Sequence, residues 1–237
     1  MMLKKYKYEG LFSKRKAGEK EKMETTNLLD KIERLLPKDI EKRSFEIIKD
    51  ELNKEGILLD KENESVIMRA IHTGADFDYV NTLKFSNDAV KKAKDLIRNG
   101  ADIVTDTNMA MSGINKKILA QYGGSVHCFM ADEDIAKEAE EKGLTRAYVS
   151  MQHAAKIGKP LIFAIGNAPT ALVSLYEMYT SGEFKPDFII GVPVGFVNVE
   201  VSKELIMSTD IPYIVNEGRK GGSNIAAAIC NALLYQL

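Results

Sequence analysis

Apolar residues recur at helical spacing from Leu28 to Leu52: Leu28, Leu29, Ile32, Leu35 and Leu36, then Ile40, Phe45, Ile47, Ile48 and Leu52. Pro37 interrupts the series, because its ring cannot continue a preceding helix, so two helices are expected. A short helix over Glu64–His72 follows. Another starts at the capping residues Ser86, Asn87 and Asp88 and stops near Asn99 and Gly100. From Ile103 the pattern changes. Short, mainly apolar runs alternate with polar turns and helices: Ile103–Thr105, Ser125–Phe129, Pro160–Ile165, Asp187–Ile190 and Ile211–Val215. Strands with no polar face need cover on both sides, and alternating helices supply it. The pattern predicts an α/β fold over residues 28–237. It is a single domain with about five parallel strands in a doubly wound sheet, helices on both faces and a helical N-terminal region.

The start of the chain is different in kind. Residues 1–24 hold eight Lys or Arg against four Glu, with few aliphatics. Residues 1–27 are therefore expected to be a flexible basic extension that contributes little to folding or activity. Over the whole chain the formal net charge is -1, which gives no general attraction to nucleic acid. Neither a membrane-spanning apolar run nor a signal-peptide pattern is present, so a cytoplasmic protein with no membrane partner is expected. Cys128 and Cys230 lack metal-ligand spacing, sit among apolar residues and read as core.

In an open α/β sheet, ligands bind beyond the carboxyl ends of the strands. Several segments should meet there. His72 ends a short helix just before Thr73-Gly74-Ala75-Asp76, and an imidazole can exchange a proton near neutral pH. Gly166-Asn167-Ala168-Pro169-Thr170 opens a helix, with small residues that let a ligand near the backbone; Asn167 either caps that helix or bonds a ligand. Gly191-Val192-Pro193-Val194-Gly195-Phe196 is an apolar turn that either packs on a neighbouring helix or faces a flat hydrophobic ligand. Gly218-Arg219-Lys220-Gly221-Gly222-Ser223 puts two cations at the start of the last helix, where amide hydrogens and the helix dipole favour an anion. Arg219 could hold a carboxylate with two parallel bonds. Arg146 opens another helix, where a cation opposes the dipole and an anionic ligand would explain it. On its own, Ser44 reads as a helix-surface residue, and His127 and His153 read as structural.

Phosphate-binding glycine fingerprints are absent, and so are Ser-His-Asp, Cys-His and paired-carboxylate patterns. What remains is a cleft with one histidine, anion-holding groups and apolar walls. It suits a large polycarboxylate with a hydrophobic body, with no protein-bound metal.

The chain resembles the precorrin-8X methylmutase family, called cobalt-precorrin-8 methylmutase in the anaerobic route to cobalamin. The resemblance runs in order through Arg43-Ser44-Phe45 with Ile47-Ile48, Ile71-His72 with Gly74, Phe85-Ser86, Asp106, Gly113-Ile114, Thr145-Arg146, Ile165–Leu172, Gly191–Val197, Ser202-Lys203, and Gly218-Arg219 with Gly221-Gly222-Ser223. It implies an isomerase of corrinoid metabolism that moves a methyl group from C11 to C12 of the ring, giving hydrogenobyrinate or cobyrinate. It also implies that His72 is catalytic and that Ser44 and Arg146 contact substrate. Asn167, Thr170 and Arg219 complete the expected substrate site. No cofactor is implied, since any cobalt travels inside the substrate, and a homodimer is implied. A non-catalytic carrier of the corrinoid intermediate is the alternative; an α/β enzyme acting on another anionic metabolite is more distant.

Overall fold

The computed structural model describes residues 28–237, and the expected extension over residues 1–27 lies outside them. The first expected helix is only a 3-10 turn, Leu28–Lys31, and Pro37 does not break a helix but begins one, α1 (Pro37–Lys54). Proline suits a first helical position, where no amide hydrogen is needed.

Residues 41–237 form one compact unit. Its helices are α2 (Glu64–Gly74), α3 (Tyr79–Thr82), α4 (Ala89–Arg98), α5 (Asn108–Gly113), α6 (Lys116–Gln121), α7 (Glu133–Lys142), α8 (Arg146–Ala154), α9 (Pro169–Thr180), α10 (Val199–Met207) and α11 (Ser223–Leu234). Six strands are found among the described residues: β1 (Leu83–Phe85), β2 (Asp102–Thr105), β3 (Val126–His127), β4 (Leu161–Ile165), β5 (Phe188–Gly191) and β6 (Tyr213–Asn216). They lie in the order β1-β6-β5-β4-β2-β3. Strands β2 to β6 are parallel, as the apolar runs predict, although β3 is only two residues long.

Strand β1 is an addition, antiparallel to β6 at the sheet edge. Its three residues, Leu-Lys-Phe, are too few for a readable alternation. Ser86 prolongs this pairing: its amide donates to Tyr213 O at 3.0 Å and its hydroxyl accepts from Tyr213 N at 2.9 Å. Its side chain therefore serves the sheet, while its carbonyl accepts from Ala89 N at the start of α4. The N-cap of α4 is Asp88, in the left-handed region at φ 54°, and its side chain does not cap.

Burial alternates along the strands. Ile103, Ile162, Ala164 and Ile190 join a core with α2, α4, α11 and the buried Ile48 and Leu52 of α1. Val104, Phe163, Ile165 and Ile189 join a second core with α8, α9 and α10. Each large apolar side chain removed from water stabilises the fold by about 1.5–3 kcal/mol. The sheet is thus covered on both faces, and its free edge for chemistry is the carboxyl end of the strands.

Candidate active site

Four turns meet at that end, and they are tied together by polar bonds. After β2, Asp106 is fully buried, and its carboxylate accepts from three backbone amides: Gly166 N at 2.9 Å, Asn167 N at 2.8 Å and Ala168 N at 2.6 Å. Burial raises this carboxyl above its ordinary range, while the three amide hydrogens pull against it. Next to it, Thr107 Oγ1 lies 2.8 Å from Ser223 Oγ, which joins the β2 turn to the start of α11. Gly166 is needed for this approach, since a Cβ there would sit 2.6 Å from Ser223 Cα. Gly222 N donates to Val192 O at 2.9 Å, and Gly195 N to Arg219 O at 3.2 Å, which joins the turns after β5 and β6.

The expectation for the Gly166–Thr170 turn is corrected on two points. The amides of Gly166, Asn167 and Ala168 are already used by Asp106, so these three are not free donors for a ligand. Ala168, not Asn167, is the N-cap residue of α9. The side chain of Asn167 is exposed, and the hydroxyl of Thr170 is 2.7 Å from that of Thr145. Thr145 caps α8 by accepting from Tyr148 N at 3.2 Å. Arg146, the first residue of α8, is exposed. The Thr145–Thr170 contact therefore joins the starts of α8 and α9, the elements that begin at Arg146 and Pro169.

His72 comes from the opposite face. It is half-buried in the last turn of α2, and the edge of its ring meets Phe45 of α1 with centroids 5.3 Å apart. Ser44, half-buried, precedes Phe45. Arg69 fixes this corner: its guanidinium lies 4.8 Å from the Phe45 centroid and donates to Glu41 Oε1 at 2.7 Å. That hydrogen bond, against a burial penalty, holds the Glu41 carboxyl below its ordinary value, with the Arg69 and His72 charges adding to it. Helix α2 packs along α11. Beyond its end, Asp76 accepts from Lys220 Nζ at 2.6 Å, which brings the His72 helix to the Gly218–Gly222 turn.

That turn also differs from expectation. Arg219 does not open α11, which begins at Ser223. Both of its cations are paired. Arg219 Nε donates to Glu200 Oε1 at 3.0 Å, and Lys220 bonds Asp76 and Asp78, whose carboxylates raise its amine. The guanidinium of Arg219 also lies 5.5 Å from the Phe196 ring centre. Phe196 is 81% exposed and Val197 77%, so this end of the apolar turn packs on no neighbouring helix and stays available beside Arg219. Because the Arg219–Glu200 pair is exposed, it is weak and a ligand carboxylate can compete for it.

A family model described as precorrin-8X methylmutase (CbiC) matches residues 39–236. The chain belongs to the precorrin-8X methylmutase family. It is 44% identical over 207 residues to a cobalt-precorrin-8 methylmutase of Salmonella typhimurium, covering 85% of this chain and 96% of that one. A precorrin-8X methylmutase of Pseudomonas aeruginosa is 38% identical over 196 residues, covering 82% and 93%. The crystal structure of a precorrin-8X methylmutase from Thermus thermophilus superposes with a TM-score of 0.75 at 34% identity, covering 83% of this chain and 96% of that one. By this membership the chain is an isomerase.

Two residues of the methylmutase edge were given no role in the sequence reading. Asp106 carried a readable signal, as a lone carboxylate directly after an apolar strand. Lys203 carried another, since it falls on the apolar face of α10 between Val199 and Ile206. The other two histidines, expected to be structural, make contacts within the fold: His127 Nε2 is 2.9 Å from buried Asp102, and His153 leans on Phe129 with centroids 4.8 Å apart.

Proposed function

We propose that the chain moves a methyl group from C11 to C12 of the corrinoid ring of (cobalt-)precorrin-8, with His72 as proton donor to the macrocycle. Family membership across residues 39–236 carries this reading. The geometry supports it. A sigmatropic shift needs a held ring and stabilisation of developing charge, and it needs no protein nucleophile. His72 lies in the last turn of α2, beyond whose end Asp76 is bonded to the Gly218–Gly222 turn through Lys220, and the His72 ring meets Phe45, itself held by Arg69. Arg146 and Arg219 take ring carboxylates; Ser44, Asn167 and Thr170 take polar edges; Phe196 and Val197 offer apolar cover to a flat ring. Any cobalt is part of the substrate. We infer also that the enzyme is a homodimer in the cytoplasm. No helix among the described residues is long and apolar enough to cross a membrane.

The test is incubation with precorrin-8 and with cobalt-precorrin-8, following the visible spectrum for the rearranged ring. His72→Ala should lower turnover by about 10²–10⁴-fold, the range for a general acid, while corrinoid binding survives. Parent-like turnover in that variant would remove His72 from the mechanism. Binding by the parent with no conversion of either substrate would make the protein a carrier.

A further inference from the structure

Lys203 is fully buried on α10, and its helical neighbours Val199 and Ile206 are buried apolar side chains. An amine loses its hydration there, and burial lowers it to about 8 against the opposing charge of Glu200. An apolar side chain of the same length would fill the space without that penalty. The bonds of the lysine point to what it does instead. Its Nζ donates to Gly218 O at 2.6 Å and to Lys220 O at 3.0 Å, the carbonyls on either side of Arg219. Asn216 Nδ2 adds a bond of 2.8 Å to the same Lys220 O. Three residues earlier on the same helix, Glu200 holds the Arg219 side chain. One helix thus grips the turn by its backbone and by its arginine.

The turn needs such a grip. Gly218, Gly221 and Gly222 have φ of 74°, 151° and 137°, so its own backbone preferences do not fix it. Ordering a glycine-rich segment at the moment of binding would subtract from affinity, and ordering it beforehand avoids this cost.

We propose that Lys203 is a positioning residue for carboxylate recognition: its two carbonyl bonds fix the backbone from which Arg219 reaches the substrate. This rests on the corrinoid reading above. The experiment is a double-mutant cycle of Lys203→Met and Arg219→Ala, reading kcat, KM and the Kd of the corrinoid product. In the parent background, Lys203→Met should raise KM and Kd by about fivefold or more, with kcat within about twofold. In the Arg219→Ala background, it should change them by less than about twofold, because the arm it positions is gone. An equal rise in both backgrounds would mean that Lys203 only supports the fold, and no rise in the parent background would also overturn the proposal. If Lys203→Met does not fold, Lys203→Gln takes its place in the same cycle with the same two readings, since its shorter side chain gives up at least one of the carbonyl bonds. Failure of the parent to bind any corrinoid would overturn the function reading instead, before the cycle is begun.

Discussion

Two turns that precede helices meet at the carboxyl edge, one with a single glycine and one with three, and they are held in opposite ways. The Gly166–Thr170 turn is fixed from inside by the buried Asp106 carboxylate, which takes three amides. The Gly218–Gly222 turn is fixed by Lys203, which takes two carbonyls, and by exposed ion pairs to Glu200, Asp76 and Asp78. The first turn has used the amides of Gly166, Asn167 and Ala168. The second has its carbonyls covered and its cations in weak, exchangeable pairs. A glycine-rich turn before a helix is therefore not an anion site by composition alone: what matters is whether its amides are already bonded.

Removing the internal brace should give the largest effect. Asp106→Ala leaves the amides of Gly166, Asn167 and Ala168 without their acceptor at a buried site. The expected loss is about 3–5 kcal/mol of stability, read as a lower denaturant midpoint at unchanged slope. A loss under about 1 kcal/mol would show that the turn is held by its packing, and the contrast between the turns would fail.

The second turn should show an alkaline pH signature that the first, whose titrating group is a carboxyl, lacks. Below about pH 8 the Lys203 amine is protonated in both folded and unfolded chains, and burial costs the fold its full penalty. As pH rises from about 8 toward the ordinary lysine value, the folded amine is neutral while the unfolded chain still binds a proton. Stability should therefore rise across that window, by about 3 kcal/mol in total, since each pKa unit is worth about 1.4 kcal/mol. Lys203→Met should abolish this rise in chemical denaturation at pH 7.5 and pH 10 (about the two ends of the window). An unchanged slope in the variant would assign it to other groups.

Ligand affinity separates the two sides more finely. Arg219→Ala and Arg146→Ala should each weaken product binding by about tenfold or more, with a smaller loss for Arg→Lys, which keeps charge without the planar fork. Added salt should weaken binding in the parent. If titration finds both Ala variants at parent affinity at low and high salt, the carboxylates are held elsewhere. The smallest effect is expected for Glu200→Ala, about 0–1 kcal/mol in stability, because its pair with Arg219 is exposed.

Much of this was readable along the chain. The mainly apolar runs at Ile103, Pro160, Asp187 and Ile211 require a sheet buried on both faces, and Val104 and Phe163 do face one core while Ile103 and Ile162 face the other. The motifs around His72, Ile165–Leu172 and Gly191–Val197 were sufficient to place the chain in its family. Helix starts were legible where a local cap decides them, as at Thr145 before Arg146. Strand β1, the sheet role of Ser86, the use of the Gly166–Ala168 amides by Asp106 and the grip of Lys203 on the Arg219 turn were not. Each joins residues far apart in sequence: 127 residues between Ser86 and Tyr213, 60 between Asp106 and Gly166, 15 between Lys203 and Gly218. Periodicity and caps are local, so they report which faces are apolar and where helices begin. Which polar atom satisfies which is settled only when the chain folds back on itself, because a buried donor takes whatever acceptor the tertiary structure brings within reach.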